Sequence, residues 1–75
     1  MRTFTVFRPN VPETHGVDRA NEPDKPQFQG VVFDSGKCVI HWLTSSNSIA
    51  VFDSYDEMYR IHGHPEYGTI IKWVE

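Results

Sequence analysis

The densest group of chemically capable side chains is His62-Gly63-His64, followed two positions on by Glu66. Imidazole and carboxylate together suit zinc or nickel. Residues two apart share one side of an extended segment. A structural zinc site wants four ligands, however, and the other two histidines, His15 and His41, are distant in sequence. The same residues fit the end of a helix. There a histidine donates to free carbonyls and meets the negative end of the dipole. The helix-end reading is the simpler one, so no metal site and no cofactor is expected.

His41 stands between Ile40 and Trp42 on an alternating segment, on the face opposite Trp42. It could act as a base, but no nucleophile accompanies it in sequence. Ser45, Ser46 and Ser48 are explained as turn formers. Asp53, Asp56 and Glu57 could do acid–base work or hold a divalent ion, yet helix capping and the helix dipole account for them equally well. No glycine loop of the phosphate-cradling kind is present. No catalytic residue is assigned, and an enzyme is not expected.

The elements that must position these groups follow from periodicity. Residues 3–8 alternate as a short strand ended by Pro9. Residues 9–27 form a long irregular stretch rich in Pro, Asn and acid, either a partly ordered loop or a disordered one. Residues 28–33 read as a strand, with Gly30 marking a bulge or a close approach. Asp34-Ser35-Gly36-Lys37 is a hairpin signal. Residues 38–43 and 48–53 are the next two strands, joined by the polar turn 44–47. Ser54 and Glu57 fit a capping box. Tyr55, Met58, Tyr59 and His62 follow helical spacing, and Gly63 is a natural stop. After the rigid turn 64–68, residues 69–74 close the body as a β-β-β-α-β unit spanning 28–75. Trp42 and Trp73 are expected in the core. The fold class is α+β, mostly β: a small five-stranded SH3-like barrel, or a curled β-meander, with one short helix before the last strand.

Seventy-five residues make a single domain. A chain this small buries only about 60% of its unfolded surface. A lone cysteine, Cys38, excludes an internal disulfide and is expected to be a small buried residue. No apolar run approaches the ~20 residues of a membrane span. The first eight residues hold no apolar segment of signal-peptide length. A cytoplasmic protein is expected.

The net charge of −3 argues against strong binding to phosphate backbones. Small barrels do bind single strands through exposed aromatics ringed by cations. The cations here (Arg2, Arg8, Arg19, Lys25, Lys37, Arg60, Lys72) are scattered. Nucleic-acid binding is therefore the second reading, and a small metal-binding or hydrolytic protein using His41, His62 and His64 the third.

Gly30-Val31-Val32-Phe33, Gly36, Trp42, Asp53-Ser54, Ile61-His62-Gly63-His64 and Trp73 together resemble a family of short proteins of actinobacteria and their phages. The resemblance covers about two thirds of the chain and rests on turn and core positions. It implies a phage or prophage accessory protein, located in the host cytoplasm, and implies no reaction. The leading expectation is a non-enzymatic protein that binds a host protein and modulates it, as a monomer or weak homo-oligomer without membrane contact. The contact candidates are His15, Asp18 and Arg19 in the long loop, His41 on the sheet, and Arg60 on the exposed side of the helix.

Overall fold

The structure is a computed structural model that describes residues 1–10, 24–44 and 47–74. Its elements are β1 (Arg2–Phe7), β2 (Phe28–Val32), β3 (Cys38–Trp42), β4 (Ile49–Phe52), α1 (Tyr55–His62), a single 3-10 turn (Pro65–Tyr67) and β5 (Ile70–Val74). All five strands pair antiparallel in one sheet of order β4-β3-β2-β1-β5. The meander expectation holds and the barrel alternative is corrected. β4 and β5 lie at opposite edges of the sheet, so it stays open.

Alternation sorts the side chains into two faces. On the inner face Trp73, Phe4, Gly30, Ile40 and Ala50 sit in one cross-strand row, and Ile71, Val6, Phe28 and Trp42 in the next. α1 covers this face. Met58 of α1 joins Phe4, Val6, Phe28, Cys38 and Ile40 in the buried core. Gly30 is required by that packing. A Cβ there would lie 2.4 Å from Cζ of Phe4, whose ring is itself buried. The close approach expected at Gly30 is therefore that of the Phe4 ring. Trp42 and Trp73 are half-buried and border the core rather than filling it.

Local chemistry sets the connections. Gly36 takes φ +95° in the β2–β3 hairpin, a conformation that side chains rarely adopt. Ser54 Oγ accepts the Glu57 amide at 3.1 Å and caps α1. α1 stops at His62 with Gly63 just past it, as expected, and only the conformation of this cap differs from the usual left-handed one. Gly63 remains right-handed (φ −65°), and the left-handed residue is His64 (φ 33°). Glycine at 63 answers a steric demand, because a Cβ would lie 2.4 Å from the Tyr59 carbonyl oxygen. No helix among the described residues is long and apolar enough to cross a membrane.

Candidate functional site

The face of the sheet opposite α1 carries no covering layer among the described elements. Its register builds two cross-strand rows. Val74, Thr3, Val31, Val39 and Val51 form an aliphatic row; Lys72, Thr5, Gln29, His41 and Ile49 form a more polar one beside it. Ile49 and Val51 on the edge strand are each 68% exposed, and Val74 at the other edge is 58% exposed. A shallow open groove of about 430 Å³ runs between the rows, bordered by Thr3, Gln29, Val31, Val39, His41 and Ile49. His41 is fixed there by its own loop, with Nε2 donating to Oδ1 of Asn47 at 2.6 Å. The face can supply aliphatic contact together with a few hydrogen-bonding groups.

A second constellation lies at the inner face, where β1 meets the end of α1. Arg8 follows Phe4 and Val6 in the inward alternation and is only 9% exposed. Its guanidinium donates through Nη2 to the His62 carbonyl, the last residue of α1. That contact satisfies a terminal carbonyl and sets a cation against the negative end of the helix dipole. The guanidinium carbon stands 5.3 Å from the Phe28 ring centroid, 5.5 Å from Trp42 and 5.6 Å from Tyr67. Burial lowers the Arg8 pKa, an effect partly offset by Tyr67 and Glu66. Arginine remains charged regardless.

His62 packs into the same corner, with ring centroids 5.2 Å from Trp42 and 5.5 Å from Phe52. Its pKa is pushed down by burial first, then by Arg8 and His64. His64 turns away. Its Nδ1 lies 2.9 Å from Oε1 of Glu66, and its ring stacks on Tyr67 at 4.9 Å. The histidine pair thus divides between an aromatic corner and a surface contact with Glu66. Among the described residues no three of His, Cys, Asp and Glu converge as a metal-holding group. Cys38 is buried, and burial raises its thiol pKa.

Of the contact residues expected from sequence, the two described ones, His41 and Arg60, lie on different elements. His15, Asp18 and Arg19 lie outside the described residues. His41 is on the sheet face opposite α1, whereas Arg60 is on α1, ion-paired with Glu57 one turn away. Arg8 escaped the sequence reading as a site residue. The available signal was the continued alternation Phe4, Val6, Arg8, which carries a cation onto the core face.

Neither a curated protein nor a solved structure matches the chain. The model of the family described as Acb5 phage protein matches residues 28–75, the segment holding β2 through β5 and both walls of the His62 corner, and the chain belongs to that family.

Proposed function

We propose that this phage protein is a non-enzymatic accessory factor that docks a host protein on the face of its sheet opposite α1. The observation that carries the reading is the pair of cross-strand rows. One is aliphatic from edge to edge apart from Thr3, and it has no covering layer among the described elements. Exposed apolar patches rimmed by polar groups mark interaction surfaces. The chemistry favours protein over nucleic acid as the partner. Lys72 is the one cation in the two rows, and it lies over the Phe7 ring. Lys37 and Arg60 are held by carboxylates, and Arg8 is buried on the other side. A face with one cation neutralises few phosphates. The large aromatics point mainly to the inner face, away from any base that could stack on the outer one.

The test is affinity capture from host lysate with wild type, Val51→Glu and Val39→Glu, each verified as folded by circular dichroism. A protein recovered by wild type and lost by both variants is the expected result. A folded Val51→Glu chain that captures the same protein as well as wild type does would contradict the reading. So would a wild-type dimer in sedimentation that Val51→Glu turns into a monomer, since the face would then serve a second copy.

A further inference from the structure

We propose that Arg8 forms the base of a carboxylate-binding site at the C-terminal end of α1, walled by Trp42 and Tyr67. The site lies on the inner side of the sheet and stands independently of the docking face. Arg8 is more than nine-tenths buried, and its Nε has no hydrogen-bond partner among the described residues. An unpaired buried donor costs more than a made bond returns, and the cost is larger on a charged group. No carboxylate among the described residues pairs with this guanidinium. Glu66, the acidic group that acts on it, is held by His64. Nη2 already anchors the side chain to the His62 carbonyl, so the guanidinium is oriented beforehand and a ligand has only to uncover its buried Nε–H edge. The aromatic faces of Phe28, Trp42 and Tyr67 exclude water and strengthen a charge-assisted bond there.

Charge balance selects the ligand class. One guanidinium matches one monoanionic, planar carboxylate, which needs a single fork of donors. A phosphate dianion would need a second cation. His62 is held toward its neutral form by burial and by Arg8, and His64 is committed to Glu66. The carboxylate can come from a small organic acid or from an acidic side chain of a partner protein.

The experiment is a titration of ¹³C,¹⁵N-labelled wild-type chain followed at the Arg8 Nε–Hε resonance, assigned on the wild type by through-bond correlation from the Arg8 side-chain carbons. The additions are acetate, a capped glutamyl tripeptide, inorganic phosphate and chloride at matched ionic strength. A saturable shift with acetate or the tripeptide, absent with chloride and weaker with phosphate, is the expected result. Tighter binding of the tripeptide assigns the site to a protein carboxylate, and tighter binding of acetate to a small acid. Arg8→Lys, read through Trp42 fluorescence, should weaken binding by about tenfold or more through loss of the fork. Because the main signal is read on wild type, an Arg8→Lys chain that fails to fold leaves the test intact. The proposal is overturned if neither carboxylate shifts the resonance saturably, or if phosphate saturates it first. It is also overturned if Glu13→Gln, Asp18→Asn or Glu22→Gln moves the resonance in ligand-free protein, since the chain would then supply its own carboxylate.

Discussion

His62 links the chemistry of one side chain to the stability of the fold. Its ring meets Trp42, Phe52 and Phe28, and burial with the nearby Arg8 charge lowers its pKa from the ordinary 6.5. Between the lowered value and 6.5 the unfolded chain binds more protons at this position than the folded one. Stability from this group is therefore complete above 6.5 and falls as pH drops below it. Melting curves from pH 7.5 to 5.5 should show Tm declining in wild type. In His62→Gln the slope should flatten, whatever the absolute Tm of that variant. An unchanged slope would mean that His62 titrates as it does in the unfolded chain. Asp53, Glu57 and Glu66 act in a separate, more acidic window. Lys37, Arg60, and for Glu66 a backbone amide together with His64, hold these carboxyls below their ordinary range. Their contributions are present above the ordinary carboxylate values and are lost as pH falls through the lowered ones.

At the scale of the elements, two substitutions separate capping from packing. Ser54→Ala removes the acceptor for the Glu57 amide and should lower stability by about 0.5–2 kcal/mol, read as a shifted denaturant midpoint at unchanged m-value. Gly30→Ala should cost about 1–3 kcal/mol by overpacking, because the added methyl meets a buried Phe4 ring and the Val39 carbonyl oxygen at 2.9 Å. A Gly30→Ala chain as stable as wild type would show that the Phe4 ring can move aside. These elements were legible in the sequence because each rests on local rules. Alternation marked the strands, Gly36 the hairpin, and Ser54 with Glu57 the start of α1. The conformation at the end of α1 was less legible, since the demand on Gly63 comes from Tyr59 a turn earlier and the left-handed residue is His64. Sheet closure was not legible either. It depends on whether β4 and β5 meet, and no local pattern reports that. Arg8 belongs to the same class: its alternation was visible, but the helix end and aromatic faces that enclose it come from distant segments.

At the scale of the whole molecule, one layer does two jobs. The inner face of the sheet is committed to α1 and the core. The outer face is left with aliphatic side chains, and β4 and β5 are left as edges. Edge strands invite pairing with another chain, and the exposed Ile49 and Val51 sit on one of them. The large aromatics surround the helix; among the described cations Lys37 and Arg60 are in ion pairs, Arg2 and Lys72 lie over rings, Arg8 is in the buried corner and Lys25 is exposed. Such a distribution suits recognition of an apolar protein surface better than recognition of a phosphate chain. The most direct test is amide hydrogen exchange on the labelled chain with and without the purified partner recovered by wild type. Added protection is expected along β3 and β4, at Val39, His41, Ile49 and Val51. Protection confined to α1 or to residues 11–23, with β3 and β4 unchanged, would contradict docking on the outer face.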